Sequence, residues 1–365
     1  MDKTKILLGI ILLCCAAAGA FVLMTGTTGT RTTPLSPAMT PTAAPGENGS
    51  GNGTCTQITI TQSDGTPLTL PCRPERLIVA NDDAAEMLIA FGAADKIVGV
   101  TEDERKVPYL EDNLPNATSI GNWETPNIEQ ILALHPDAII TYSTYRPKNI
   151  DQITAENITV ISLDCYRLST LASDARAIGT LTGTADKSYA YAQMVDDTVN
   201  KVKQRVNALS ADEIPSVYFE GYVDYTAESN GSGSNELVVA AGGRNIAGNS
   251  STSYMTVSPE WVVTQKPQYV MKVVSSSGSR TLADVVTNLT SRTGWNTIPA
   301  VQQNKVYAIY DDLAYGPRAY IGLVYTAQIL HPDIFSDMNP KEMLDEYAGQ
   351  YVNGTNVSQM VYPQP

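Results

Sequence analysis

Basic residues and histidines are scarce in this 365-residue chain. It holds 24 Lys and Arg against 38 Asp and Glu, a formal net charge of −14, and two His. This balance counts against a nucleic-acid binder, which needs basic patches for the phosphates. Two histidines cannot build a three-His zinc centre, and the Gly-x-Ser-x-Gly, Walker A and His-Glu-x-x-His motifs are missing. We therefore expect no catalytic residues and no enzyme.

The first 54 residues predict export from the cytoplasm. Lys3 and Lys5 precede an uncharged apolar run, which indicates a signal peptide or membrane anchor over residues 1–24. Residues 25–54 are rich in Thr, Pro, Gly and Ser and predict an unstructured linker. We expect a protein tethered to the outer face of the cell membrane, with cleavage of the segment, or lipidation at Cys14 or Cys15, left open.

Glycosylation signals fit an exported chain. The pattern Asn-x-Ser/Thr marks possible N-glycosylation sites, and many of them in an exported chain indicate a glycoprotein. It occurs at Asn48, Asn52, Asn116, Asn157, Asn230, Asn249, Asn288, Asn353 and Asn356.

A disulfide-closed hairpin is predicted at residues 55–72. Alternating Ile and Thr, an Asp64-Gly65 turn signal and alternating Leu form the pattern of a β-hairpin. A hairpin brings its ends together, so Cys55 and Cys72 are expected to form a disulfide outside the cytoplasm. Cys165 is left over as a buried core thiol.

The rest of the chain alternates between strand and helix patterns. Short β-branched runs at 77–79, 97–100, 138–141 and 160–163 are separated by helical stretches, which predicts parallel βαβ units. The same alternation returns after residue 210. Between the two halves, residues 185–209 carry no Gly or Pro and place apolar residues at helical spacing. The sequence predicts one long helix there.

A short sequence pattern occurs twice and places one glutamate in each half of the chain. Glu129 and Glu260 are each followed seven residues later by a proline, Pro136 or Pro267, and then by a strand. Each glutamate lies near the start of a predicted helix, after a cap-plus-proline signal. From the residues alone, the simplest interpretation is stabilisation of the helix dipole by an acid in the first turn.

Several segments in a fixed order carry a family resemblance. They are RPERLIVANDDAAEMLIAFGAADKIVGVT, NWETPNIEQILALHPDAIIT, SNGSGSNELVVAAGGRNIAG, SPEWVVTQKPQYVM and GPRAYIGLVYTAQILHPDIF. From Cys55 to the region of Tyr351, the chain resembles the periplasmic substrate-binding proteins of ABC transporters for iron–siderophore, haem and cobalamin uptake. The resemblance implies an α/β fold of two lobes, each a mainly parallel sheet flanked by helices, joined by a single long helix, with the ligand in the cleft.

Domain boundaries and partners follow from this resemblance. An N-terminal lobe with the opening hairpin covers 55–184, the connecting helix 185–209, a C-terminal lobe 210–350 and a tail 351–365. In the family, one glutamate on each lobe docks onto arginines of the permease, and Glu129 and Glu260 fall on those positions. The implied partners are an ABC permease with its cytoplasmic ATPase and a small-molecule metal chelate.

Candidate ligand residues follow from the rule that open α/β sheets bind ligands beyond the carboxyl ends of their strands. The residues just after each predicted strand are Asn81, Asp82, Thr101, Glu102, Tyr142, Tyr145, Arg146, Tyr166, Arg167, Tyr222, Tyr225, Ser275, Ser276, Asp311, Tyr315 and Arg318. Trp123 matches the place where a cobalamin-binding member of the family offers a tryptophan. The set is rich in Tyr, which offers flat contact surface, and in Arg, which binds carboxylates or phosphates. The alternative for Arg146, Arg167 and Arg318 is pairing with structural carboxylates.

The ligand class stays open between related chelates. Ionised phenolates and carboxylates suit ferric iron. On frequency within the family that the chain resembles, a ferric siderophore-type complex is the first expectation; a corrinoid such as cobalamin is the second because of Trp123, and haem is a further alternative. We expect no resident cofactor and leave a metal site undetermined. The remaining alternative is a surface glycoprotein without a transport role.

Overall fold

The computed structural model describes residues 55–352 and 360–365. The predictions for the export segment, the linker, Cys14, Cys15 and the sequons at Asn48, Asn52, Asn353 and Asn356 lie outside these residues, as do residues 353–359 of the predicted tail. Among the residues described, no helix is long and apolar enough to cross a membrane.

The chain opens with the predicted hairpin. Strands β1 (Ile58–Thr61) and β2 (Pro67–Leu70) pair antiparallel. Ile58, Ile60 and Leu70 are buried on one face, whereas the Thr residues of β1 are exposed, which is the period-two pattern of a half-buried strand. A disulfide joins Cys55 and Cys72 across the open end, with the Cα atoms 5.3 Å apart.

The first lobe is built on five parallel strands. They are β3 (Leu77–Ala80), β4 (Ile97–Val100), β5 (Thr118–Ser119), β6 (Ala138–Thr141) and β7 (Thr159–Ser162). Their order in the sheet is β5-β4-β3-β6-β7. The central strands β3 and β6 are buried along their whole length, as expected of a parallel sheet covered on both faces. The helices of this lobe are α1 (Asp82–Phe91), α2 (Pro108–Asn113), α3 (Ile128–Ala133), α4 (Ile150–Ala155) and α5 (Leu171–Thr182).

The predicted connecting helix is present and ends three residues early. Helix α6 (Ala185–Val206) follows the first lobe and precedes the second. Tyr191, Val195 and Val202 are buried along one face. The backbone N–H of residue 209 donates to the carbonyl of residue 206 at 3.0 Å, so the chain tightens into a turn there and 207–209 leave the helix. The apolar periodicity could not detect this because Leu209 still continues it.

The second lobe contains a larger, mixed sheet. Its strands are β8 (Ser216–Glu220), β9 (Thr226–Glu228), β10 (Arg244–Asn245), β11 (Tyr254–Thr256), β12 (Tyr269–Val274), β13 (Val306–Tyr310) and β14 (Val361–Tyr362). The order is β11-β9-β8-β12-β13-β14, with β10 also beside β8. Strands β8, β12 and β13 are parallel and form the centre. Antiparallel pairing occurs with β9, β11 and β14.

The helices of the second lobe surround this sheet and return to the first lobe. They are α7 (Gly233–Ala240), α8 (Pro259–Gln265), α9 (Leu282–Thr290), α10 (Pro299–Gln302), α11 (Asp311–Ala314), α12 (Ala319–Leu330), α13 (Pro332–Phe335) and α14 (Pro340–Tyr351). Helix α12 is buried on almost all sides. The Tyr347 hydroxyl on α14 donates to Glu86 Oε1 of α1 at 2.8 Å, so α14 contacts the first lobe.

Two arginines tie the lobes together. Arg318, between α11 and α12, is 5% exposed and donates to Glu86 of the first lobe and Asp312 of the second, both at 2.8 Å. Arg167, after β7, donates from Nε to Glu236 of α7 at 2.9 Å. The sequence left both arginines open between ligand contact and pairing with structural carboxylates. The structure pairs their charges with protein carboxylates, because a buried guanidinium needs a paired anion.

Removing the buried ion pairs of Arg318 with Glu86 and Asp312 should destabilise the protein. We expect Arg318→Met to lower the free energy of unfolding by about 3 kcal/mol, because it leaves two carboxylates without their cation. The matched control is Arg176→Met, since Arg176 pairs with Asp196 where both side chains are more than 30% exposed; its loss should stay below about 1 kcal/mol. Chemical denaturation of both variants checks this, and equal losses would contradict a structural role for Arg318.

Candidate functional site

A chain of tyrosine rings crosses from one lobe to the other at the carboxyl ends of the strands. Tyr142 follows β6 and contacts Tyr145 and Tyr166, with ring centroids 6.5 and 5.6 Å apart. Tyr166 contacts Tyr315 of the second lobe at 6.5 Å, and Tyr315 contacts Tyr222 at 6.4 Å. These are ordinary distances for edge-to-face and tilted aromatic pairs. All five tyrosines were predicted from their position after a strand.

The hydroxyls of this tyrosine chain donate to carboxylates. Tyr142 donates to Asp82 at 2.5 Å and also lies 3.2 Å from Asp83. On the second lobe, Tyr222 donates to Asp311 at 3.2 Å.

A further carboxylate lies behind Tyr315. The Tyr315 hydroxyl donates to Glu228 Oε1 at 2.7 Å and accepts from the Ser234 hydroxyl at 3.1 Å. Sequence reasoning found Asp82 and Asp311 and missed Asp83 and Glu228. Asp83 was detectable as the second acid of an Asp-Asp pair, whereas Glu228 lies on a strand that pattern reading did not find.

Asn81 positions the first-lobe acids. It is 1% exposed, caps α1 by accepting from the Ala84 N–H at 3.0 Å, and donates to the Leu163 carbonyl at 2.6 Å. Its amide is therefore occupied by the protein, contrary to the expected contact with ligand. By fixing the start of α1 beside β7, it holds Asp82 and Asp83 at the carboxyl edge of the sheet.

Arg146 and Tyr225 also have internal roles. Arg146 is exposed and donates to the Ser162 hydroxyl at 2.7 Å, close to the hairpin. Tyr225 lies under the Arg292 guanidinium, 4.4 Å from the ring centroid, and packs against Trp295. Neither residue joins the tyrosine chain.

The remaining candidates lie at the margin of the site. Thr101 is buried, Glu102 is exposed, and Trp123 is half-buried in the loop between β5 and α3. Ser275 is half-buried and exchanges a hydrogen bond with Ser277. The Ser276 N–H donates to Asp311 at 2.9 Å, so this loop helps to orient the acid that Tyr222 contacts.

Glu129 and Glu260 occupy equivalent positions on the two lobes. Each is the second residue of its helix, α3 or α8, after a side-chain cap by Asn127 or Ser258. Both glutamates are exposed, and neither carboxylate forms a hydrogen bond or ion pair within the described part of the chain. Each helix leads into a central buried strand, β6 or β12. The repeated sequence pattern therefore corresponds to a repeated structural arrangement, one on each lobe.

The comparison with known proteins decides the family. The family model described as periplasmic binding protein matches residues 77–313. The chain belongs to this family. Its members are extracytoplasmic solute-binding proteins of ABC transporters, which work with a permease and an ATPase, and the family is not an enzyme class.

Individual relatives agree with this assignment. An uncharacterized ABC transporter substrate-binding lipoprotein of Bacillus subtilis is 24% identical over 77% of this chain and 87% of its own length. A cobalamin-binding protein of Halobacterium salinarum is 28% identical, over 60% of this chain and 59% of its own length. The molybdate periplasmic binding protein of Haemophilus influenzae superimposes with a TM-score of 0.68 and 21% identity, over 82% of this chain and 99% of that one.

Burial raises the pKa of three tyrosines of this periplasmic binding protein, Tyr142, Tyr166 and Tyr315. Burial, reinforced by Asp82 and Asp83, raises the pKa of Tyr142 well above its usual value, and burial with Glu228 does the same for Tyr315. Burial raises the pKa of Tyr166 to about 12. A protonated phenol donates a hydrogen bond, so these three hydroxyls act as hydrogen-bond donors.

An ion network supports the second-lobe wall of this cleft. Lys272 and Glu220 are buried, with Lys272 Nζ 2.7 Å from Glu220 Oε1 and 2.8 Å from the Gly221 carbonyl. Arg292 donates twice to Glu220, at 2.8 and 2.9 Å, and pairs with Asp224 at 2.9 Å. The network holds the turn that carries Tyr222. The lysine within the otherwise apolar strand YVMKVV is the sequence signal that could have revealed it.

Glu104 is a buried acid close to the carboxyl end of strand β4 in the first lobe. Glu104 is 4% exposed and accepts from the Thr101 N–H at 2.6 Å. Burial raises the pKa of Glu104 to about 7, despite the hydrogen bonds from Thr101. Its carboxyl therefore holds a proton more tightly in the folded chain than in the unfolded one.

This proton should make stability depend on pH. The contribution of Glu104 to the free energy of unfolding is fully present below about pH 4.5 and is lost as the pH rises to about 7, because the unfolded chain releases the proton earlier. We expect Glu104→Gln to flatten this decline while leaving the slope from other buried acids. Denaturant titrations at pH 5 and pH 8 check this, with the exposed Glu156→Gln as control. Parallel pH profiles for Glu104→Gln and the native protein would contradict it.

Proposed function

We propose that this periplasmic binding protein is tethered to the outer face of the membrane, captures a preformed metal chelate between its lobes and delivers it to an ABC permease. The observation that carries the proposal is the tyrosine chain, which lines the carboxyl edges of both sheets and crosses between the lobes. Aromatic rings on both walls offer flat, apolar contact to a large ligand, and their hydroxyls and carboxylates offer polar contacts at fixed points.

A corrinoid is the ligand that fits these walls best, ahead of the ferric chelate that the sequence suggested first. A corrinoid is a broad ring with amide side chains, so its faces suit tyrosine rings and its amide N–H groups suit carboxylate acceptors. The similarity to a cobalamin-binding protein supports the same order. Trp123, beside the first-lobe edge, would add a further flat surface.

Ligand binding should depend on the rings that join the lobes. We expect cobalamin to quench the tryptophan fluorescence of the purified protein with saturation, and Tyr315→Ala to weaken binding at least about tenfold because it removes a central contact surface. Tyr189→Ala is the matched control, since Tyr189 lies on α6 and is 49% exposed. A ferric siderophore and haem are titrated in parallel. No saturable binding of any of these would overturn the proposal.

Glu129 and Glu260 are proposed as the docking contacts with the permease. Both carboxylates are exposed and unpaired, and they lie at matching positions on two lobes. A permease arginine can bind such a carboxylate with directional, charge-assisted hydrogen bonds. Their effect on the helix dipole is worth only about 0.3–1 kcal/mol each at an exposed site, which leaves the fold largely independent of them.

Docking and ligand capture should separate by mutation. We expect Glu129→Ala combined with Glu260→Ala to abolish uptake into cells while ligand affinity stays within about twofold, because neither side chain contributes to the tyrosine chain. A double change of Glu156 and Glu346 to Ala, two other exposed acids, should leave uptake intact. Loss of affinity in the first variant would place these glutamates in the binding site instead.

A further inference from the structure

Four carboxylates face the tyrosine chain without a cationic partner. They are Asp82, Asp83, Glu228 and Asp311, and none of them forms an ion pair within residues 55–352 and 360–365. Their hydrogen bonds come from tyrosine hydroxyls and, for Asp311, from the N–H groups of 276 and 312. Hydroxyl and amide donors leave the negative charge in place.

The nearby cations that form ion pairs do so with other carboxylates, although the charge of Arg318 also lowers the pKa of Asp83. Arg167 and Arg318 neutralise Glu236, Glu86 and Asp312. Lys272 and Arg292 are shared between Glu220 and Asp224. Arg146 donates to Ser162 near the hairpin. Arg280 is the remaining candidate; it is exposed on the loop after β12 and cannot balance the acids of both lobes.

The acids of the two lobes converge on one place. Partial desolvation raises the pKa of Tyr222, which is 47% exposed, and the charges of Asp311, Asp83 and Asp82 raise it further. Gly316 of the second lobe lies directly against Asp83, because a Cβ on Gly316 would lie 2.5 Å from Asp83 Oδ1. The carboxylates therefore act on the same space at the centre of the cleft.

Glu228 adds a separate indication of a bound partner. Its side chain is 1% exposed, and one oxygen accepts from Tyr315. The other oxygen, Oε2, is buried with no hydrogen-bond partner. A buried polar atom without a partner carries a substantial free-energy cost. Glu228 thus has an unsatisfied acceptor directly behind Tyr315, the ring that joins the lobes.

Helix stabilisation explains only part of this charge. Asp82 and Asp83 lie in the first turn of α1, where an acid is favourable. Helix α11, which begins with Asp311, has only four residues and so offers little dipole. Burial and the neighbouring acids raise the pKa of Asp83 well above its usual value, so this carboxyl holds its proton and the negative charge on the first-lobe side comes from the exposed Asp82.

We propose that the cleft selects its ligand by charge: it binds a metal complex of net positive charge most tightly, a neutral one less tightly, and excludes anions. This rests on the proposed function, because it assigns a charge to the chelate captured there. The fold itself does not impose this choice, since the similar molybdate-binding protein holds an anion. The walls of this chain impose it, because unpaired carboxylates in a partly buried cleft repel a negative ligand.

Matched ligands isolate charge from shape. For iron, a linear ferric trihydroxamate with a free amine is a cation, its N-acetyl derivative is neutral and its N-succinyl derivative is an anion, on the same metal core. For corrinoids, the series is aquacobalamin, cyanocobalamin and the monocarboxylic acid of cyanocobalamin. Within whichever series the full protein binds, we expect affinity to fall about tenfold at each step from cation to anion. Added salt should reduce the spread.

Variants locate the origin of the preference. Asp82→Asn with Asp311→Asn should reduce the cation-to-anion affinity ratio at least about tenfold, because it removes two negative charges from the site; an unchanged thermal unfolding midpoint shows that the variant is folded. Asp186→Asn is the control; Asp186 is exposed at the start of α6, beside the end of α1 that lies away from the cleft, and its ratio should equal that of the native protein.

The possible results distinguish failure of the charge preference from failure of the proposed function, capture of a metal chelate. Binding of a chelate with equal or greater affinity for the anion would overturn the charge preference and leave chelate capture intact. An unchanged ratio in the Asp82 and Asp311 variant would also overturn it. Failure to bind any member of either series would overturn the proposed function itself.

Discussion

The burial of Arg318 between the two lobes is the constraint on which the cleft depends. One guanidinium, taken out of water, pairs with a carboxylate from each lobe, and such a group is tolerated only when both partners are held in place. The Tyr347 hydroxyl fixes the first-lobe partner from α14. Because Arg318 follows Tyr315 and Gly316, the same segment that ties the lobes also delivers the central ring of the tyrosine chain.

Much of the architecture was predictable from local pattern. Alternating β-branched and helical stretches encode parallel units, and the long Gly-free and Pro-free stretch encodes α6, because these signals depend on residues close in sequence. The short edge strands escaped. Thr118–Ser119 and Val361–Tyr362 are two residues each, too short for any periodicity, and they are strands only because a neighbouring strand offers hydrogen bonds.

Predicting the candidate site from sequence succeeded for position and failed for role. The rule that residues after strands face the ligand found every tyrosine of the chain. It could not tell which arginines would remain available, because Glu86 and Glu236 lie 232 and 69 residues from the arginines they neutralise. The same limit hid Glu228, and it hid the support that Lys272 gives to the turn of Tyr222. Partner choice for a buried charge is a tertiary property.

The contact between Tyr166 and Tyr315 has a consequence for turnover. The two rings come from opposite lobes, so a ligand that binds between the lobes at this point has to displace their contact. An aromatic pair of this kind is worth about 0.5–1.5 kcal/mol. This free energy opposes ligand binding and favours ligand release. The contact between Tyr166 and Tyr315 thus competes with the ligand, which suits a binding protein that has to release its ligand as well as hold it.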